Sequence, residues 1–259
     1  MITLRAVVFD FFGTLVPNFT VSGHKDVLRQ MARVTGAPVE RFVEGWLATF
    51  HQRATGAFPT TRSNIEAVCQ ALNVAPENHQ YEAAARLRYD FEKRQVAPRP
   101  AAISTLQVVR SFGLKTCLVS DCSPELPQIW PETPFAPLFD STVFSCCLKI
   151  RKPNREIYLE ACRRLRVEPP QCLFVGDGGS RELSGATEAG MSAVLLASPE
   201  EQSNADIHRV DEEEWTGRKI SDLKELLPIL KTGGRLNGLA TRPSSPLPSS
   251  TSPLAAARD

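Results

Sequence analysis

Four sets of polar residues stand where apolar runs end or soon after. Asp10 closes LRAVVF (4–9), Ser120 and Asp121 close KTCLV (115–119), Asp177 closes CLFVG (172–176), and Lys152 follows the shorter run at 142–145. In an open α/β sheet, ligands sit beyond the carboxyl ends of the strands. If these runs are strands, side chains far apart in the chain meet at one rim. A carboxylate in such a place stays ionised at neutral pH and can form a covalent intermediate. Each residue alone has a plain structural reading: turn former at Asp10, cap at Ser120 or Asp177, solvated charge at Lys152. Their recurrence at equivalent ends argues against that reading for all of them at once.

The elements that must position these groups are legible in the hydrophobic pattern. The runs named above are short and apolar, as in a parallel sheet buried on both faces. SAVLLA (192–197) is a further strand. Between Pro17 and Arg94 the period changes. HKDVLRQMARV, VERFVEGWLATF, NIEAVCQAL and EAAARLRYDF carry apolar residues at helical spacing. Ser63 or Asn64 is the expected N-cap of the third, with Glu66 completing a capping box. Further helices are expected over 100–112, after Pro153 as a first-turn proline, over 180–189 and over 222–230. Alternation of this kind predicts an α/β protein with a mostly parallel sheet, interrupted between Pro17 and Arg94 by helices alone. The expected division is an α/β core at 1–16 and 95–231, a helical segment at 17–94, and a disordered Pro/Ser-rich tail at 232–259 that lacks the apolar content to offset its ordering entropy.

Composition narrows the function classes. The chain has 259 residues, 42% of them hydrophobic, and a net charge of +1, which argues against a nucleic-acid footprint. No apolar run approaches the roughly 20 residues of a membrane span, and the N-terminal run reads as a strand and not as a signal peptide. Seven cysteines without a C-x-x-C spacing read as reduced, mostly buried thiols of a cytoplasmic protein. The four histidines show no metal-ligand spacing.

FDFFGT (9–14), VSD (119–121), RKPNREIY (151–158) and GDGGSRE (176–182) resemble the four motifs of the haloacid dehalogenase (HAD) superfamily, over roughly residues 4–230. The resemblance implies a Rossmann-like parallel sheet core with an inserted α-helical cap at 17–94, and that Asp10 is the nucleophile, that Ser120 donates to the transferred group and that Lys152 orients Asp10 and supplies positive charge. It places Asp10, Asp177, Glu182 and the backbone carbonyl of Phe12 around Mg²⁺, a cation suited to hard oxygen ligands. Thr14, Asp121 and, in the cap, Arg41 become substrate-binding candidates. One position departs from the usual phosphatase pattern. Phe12 stands where a second aspartate protonates the leaving group, and loss of a general acid typically costs about 10²–10⁴ in rate. Asp121, His24 and His51 are the replacement donors in view. The leading expectation is an Mg²⁺-dependent phosphohydrolase of a small phosphorylated metabolite. The alternatives are a metal-free dehalogenase-like hydrolase acting on a 2-halo acid, with Arg41 on the halide, and a binding protein of little or no turnover. The cap aromatics Phe42, Trp46 and Phe50 are expected to form a packing stripe.

Overall fold

The computed structural model describes residues 3–198 and 215–231; the tail expected to be disordered lies outside them. Six parallel strands form one sheet: β1 (Ala6–Phe9), β2 (Lys115–Ser120), β3 (Ser141–Phe144), β4 (Cys172–Gly176), β5 (Ser192–Leu196) and β6 (Lys219–Ile220). Their order is β3-β2-β1-β4-β5-β6. Chain direction across the sheet therefore reverses between β1 and β4, the switch point at which such sheets open a crevice.

The period of two along each strand divides the core. Val7 and Phe9 of β1, Leu118 of β2 and Leu173 and Val175 of β4 enter one hydrophobic cluster. Ala6 and Val8, Cys117 and Val119, and Cys172 and Phe174 enter the cluster on the opposite face. Helices α6 (Ala102–Ser111) and α11 (Leu226–Lys231) cover the first face; α9 (Arg155–Leu165) and α10 (Glu182–Glu188) cover the second. Every residue of β1 is wholly buried, and a fully buried Val or Phe contributes about 1.5–3 kcal/mol. The register of the strand that carries Asp10 is thus strongly specified.

Five helices lie between β1 and α6: α1 (Val21–Thr35), α2 (Val39–Ala48), α3 (Phe50–Ala54), α4 (Thr61–Ala71) and α5 (Asn78–Gln95). They enclose a third cluster built on Leu28, Met31, Phe42, Trp46 and Ile65. Two short helices, α7 (Glu125–Ile129) and α8 (Ser145–Leu148), follow β2 and β3.

Several boundaries differ from the sequence expectation. The helix expected over 39–50 is split, because the Thr49 hydroxyl and the Arg53 guanidinium both donate to the Trp46 carbonyl, at 2.8 and 2.5 Å. Side-chain donors of this kind compete with the helical ladder. Phe42 and Trp46 remain in the helical core, while the break turns Phe50 toward the site. Helix α4 starts before Ser63: Thr60 is its N-cap, in a reciprocal capping box with Ser63, and Glu66 instead pairs with Arg62. Helix α9 is capped by Asn154, so Pro153 precedes the cap and does not occupy the first turn. Helix α10 starts at Glu182 rather than Ser180, since Ser180 and Arg181 both adopt positive φ. The helix expected over 222–230 begins as a 3-10 turn at Leu223–Glu225. None of the seven cysteines is in a disulfide; six are buried and Cys147 is exposed. No helix among the described residues is long and apolar enough to cross a membrane.

Candidate active site

Asp10 follows β1 directly, and its N–H continues the ladder by donating to the Val175 carbonyl at 2.9 Å. The chain then folds back on itself, with the N–H groups of Thr14, Leu15 and Val16 all donating to the Phe11 carbonyl. The Thr14 hydroxyl donates to Asp10 Oδ2 at 3.0 Å. Thr14 is fully buried and its hydroxyl is spent on Asp10. It therefore positions the carboxylate, a correction to its expected role against substrate. Gly13, at φ +83°, lets this turn approach β4: a Cβ there would lie 2.1 Å from Asp177 Oδ2. Gly176 makes the same allowance for Glu182, whose Oε1 would lie 2.1 Å from an added Cβ.

Lys152 Nζ donates to Asp10 Oδ1 at 2.5 Å and also to Glu182 Oε2. Asp177 accepts from Asn18 Nδ2 at 3.0 Å and from the Gly179 N–H at 3.0 Å. Glu182 Oε1 accepts from the Gly178 N–H at 3.1 Å. Carboxylate oxygens of Asp10, Asp177 and Glu182 lie within 4.8 Å of one another. Burial, and then the neighbouring Asp177, push Asp10 up to about 6, although Lys152 pulls it down. Burial and Asp10 push Glu182 well above the ordinary carboxylate range. Burial alone would lower Lys152, but Asp10, Glu182 and Asp121 outweigh it and hold the ammonium charged. Burial is the main cause that raises the two acids, and the neighbouring carboxylates add to it against the one lysine.

Asp121 lines the cavity and accepts from the Lys152 N–H at 3.0 Å and from Arg151 Nε at 3.2 Å. Ser120 ends β2 but is almost fully buried, and its hydroxyl has no hydrogen-bond partner among the described residues. The cavity wall beside it is Asp121, Cys122 and Ser123. Phe12 lines the cavity. Its ring packs on Phe11 and Phe19, with centroids 5.0 and 4.8 Å away, where the sheet core meets the helical core.

Arg41 is exposed on α2 and is not among the cavity-lining residues, which corrects its expected role. The guanidinium that does reach the cavity is Arg88 of α5, beside Glu92. Both are buried and paired at 2.7 Å. Burial, and Glu125 against the pull of Arg88, bring Glu92 up to about 7. The sequence reading passed over both because charged residues on a helix usually face solvent. The signal was present, since Ala84, Arg88 and Phe91–Glu92 follow the helical period on the buried face of α5. His24 is no proton donor to this cavity: it is buried between Phe19 and Phe91. The cavity encloses about 60 Å³, room for a few waters or a phosphoryl-sized group.

A carboxylate at the switch point of a parallel sheet, a lysine against it and an acidic pair beyond the adjacent strand give this α/β protein a site suited to chemistry on a small ligand. The profile of the haloacid dehalogenase-like hydrolases matches residues 4–190, and the chain belongs to that family. Glyceraldehyde 3-phosphate phosphatase of Methanopyrus kandleri is 24% identical over 233 residues, 88% of this chain and 97% of that protein. (S)-2-Haloacid dehalogenase 4A of Burkholderia cepacia is 27% identical over 241 residues, covering 88% and 95%. In fold, the crystal structure of a HAD phosphatase from Thermococcus onnurineus is similar with a TM-score of 0.61, at 23% identity over 89% of this chain and 99% of that one. Relatives of both chemistries are thus found, and membership establishes a hydrolase without choosing between phosphorus and carbon.

Proposed function

We propose that this protein is an Mg²⁺-dependent phosphohydrolase acting on a small phosphorylated metabolite in the cytoplasm, with residues 17–94 as its cap. The supporting observation is the convergence of Asp10, Asp177 and Glu182 within 4.8 Å around a single lysine. With all three ionised, the buried cluster carries two uncompensated negative charges. Hard oxygen donors and missing positive charge fit a divalent cation. The same surplus would repel the carboxylate of a 2-halo acid, which disfavours the dehalogenase alternative. Asp10, Asp177 and Glu182 would hold Mg²⁺, with the Phe12 carbonyl as a further donor. Its contribution when bound is to reduce repulsion between Asp10 and an anionic phosphoryl group.

Asp10, fixed by Thr14 and Lys152, attacks phosphorus. An Asp10 O–P bond forms as the bond to the ester oxygen breaks, and the departing oxygen takes a proton. Water then attacks the aspartyl phosphate, releasing phosphate and restoring Asp10. The Lys152 ammonium lines the cavity and is a donor to the transferred group, whereas the expected donor Ser120 is buried and is not among the lining residues. Phe12 supplies no proton. Glu92 faces the same cavity, and with its carboxyl raised to about 7 it holds one near neutrality. The test is phosphate and halide release over substrate panels, with and without Mg²⁺, using Asp10→Asn as the blank. Phosphate release abolished by chelation is expected. Phosphate release that persists in excess chelator, or halide release without metal, overturns the reading.

A further inference from the structure

A second concavity opens beside the reaction cavity. It is a groove of about 540 Å³ and shares Lys152 and Ser180 with the first. His51 of α3 contributes on one side; Lys149, Arg151 and Arg181 contribute from the loops after β3 and β4. No Asp or Glu lines it. These charges are not equivalent. Lys152 is neutralised by Asp10 and Glu182. Arg151 is engaged by Asp121 at 3.2 Å and Ser180 at 3.0 Å, and its guanidinium lies over Phe50 at 5.2 Å. Lys149 and Arg181 are exposed and make no ion pair among the described residues. Both hold backbone conformations that L-residues seldom adopt, at φ 64° and 52°. A glycine would relieve that strain at either place, yet each carries a long cation.

The reaction cavity of about 60 Å³ leaves little room beyond a transferred group. The rest of a substrate must extend outward, and the groove adjoins the cavity, with Lys152 and Ser180 lining both. We propose that this groove binds a second anionic group, a phosphate or carboxylate, at the far end of the substrate whose phosphoryl group faces Asp10. The substrate class is then a phosphate ester bearing a second anion. This rests on the phosphohydrolase reading.

The experiment compares propanediol monophosphate with propanediol bisphosphate at fixed ionic strength, in the wild type and in Lys149→Gln/Arg181→Gln. The wild type should favour the bisphosphate in kcat/KM by about tenfold or more, the worth of one charge-assisted contact, and the double variant should lose that preference. The same two esters are titrated calorimetrically into Asp10→Asn and into Asp10→Asn/Lys149→Gln/Arg181→Gln, a readout that needs no turnover. Release of phosphate from neither ester would count against the phosphohydrolase reading, while the titration still decides the groove. Equal affinity for the two esters, or an advantage that survives the double substitution, overturns the proposal. So does inorganic phosphate that binds through Lys149 and Arg181 without competing with the bisphosphate, which would make the groove a free-anion site.

Discussion

Phe12 occupies a place where a carboxylate would be poorly housed. Its ring fills the seam between the sheet core and the helical core, against Phe11 and Phe19. An ionised group there would lose hydration with no cation assigned to it. The proton must then come from another wall of the cavity. Asp121 is committed to Arg151 and the Lys152 backbone, which leaves Glu92. The charged and titratable groups facing Glu92 are Arg88 on its own helix, Arg53 of α3 and Glu125 of α7. If Glu92 is the donor, Glu92→Gln should slow release of alkoxide leaving groups about 10²-fold or more. Esters of acidic phenols, which leave unprotonated, should lose at least tenfold less, the difference being about 1.4 kcal/mol. The sign of the pH effect follows. Glu92 is protonated below about 7, so turnover should fall as pH rises through 7, and this alkaline limb should vanish in Glu92→Gln. Equal losses on both ester classes with the limb intact would assign the proton elsewhere. Asp10, Asp177 and Lys152 were legible in the sequence because they recur at or soon after the ends of apolar runs, whereas Glu182 came only with the resemblance of GDGGSRE (176–182) to a family motif. Arg88 and Glu92 were not, because a buried ion pair at i and i+4 spells the same letters as an exposed one.

Strand ends place the chemistry only because the turns beyond them are tight. The Phe11–Thr14 turn is held from below by Arg99, which donates to the Gly13 carbonyl at 3.0 Å, and from the side by contact with Asp177. Gly13→Ala adds a methyl in both a left-handed conformation and an occupied space. Since misplacing a reacting group by about 1 Å costs on the order of 10²-fold, phosphate release should fall by that much while the circular dichroism spectrum stays native. An alanine variant that keeps half of the wild-type rate would mean that Asp177 can move without consequence. At this scale the sheet was readable almost to the residue. Strands buried on both faces are apolar without interruption, and CLFVG coincides with β4. What escaped were elements too short to show a period: β6, α7 and α8. The break between α2 and α3 escaped for another reason. It depends on Arg53 reaching back to the Trp46 carbonyl, a tertiary choice that helical spacing does not encode.

The helical segment and the sheet core meet around one buried side chain. Glu125 of α7 is wholly inaccessible. It accepts from Thr61 of α4 at 2.9 Å and lies 3.5 Å from Arg88 Nε of α5. Arg53 of α3 adds a contact to Ser123 at 3.3 Å. Burial, and then Arg88, lower the Arg53 guanidinium to about 9, the mark of two cations held close with little water. Glu92 and Glu125 are the carboxyl groups that face Arg53 and Arg88, and only Glu125 comes from the core side. Separating the two parts would therefore strip one carboxylate from a buried pair of cations. Removing that carboxylate by mutation does the same without motion. Breaking a buried ion pair from one side costs about 3–5 kcal/mol. For a chain of this size each kcal/mol lowers the midpoint by roughly 2–4 °C, so Glu125→Ala should lower Tm by on the order of 10 °C. Glu125→Gln, which keeps an acceptor for Thr61 but loses the charge, should lie between the two. Differential scanning calorimetry distinguishes the outcomes. A Glu125→Ala variant within about 2 °C of wild type, the effect of an ordinary surface substitution, would mean that the helical segment is held to the sheet core by its apolar contacts alone.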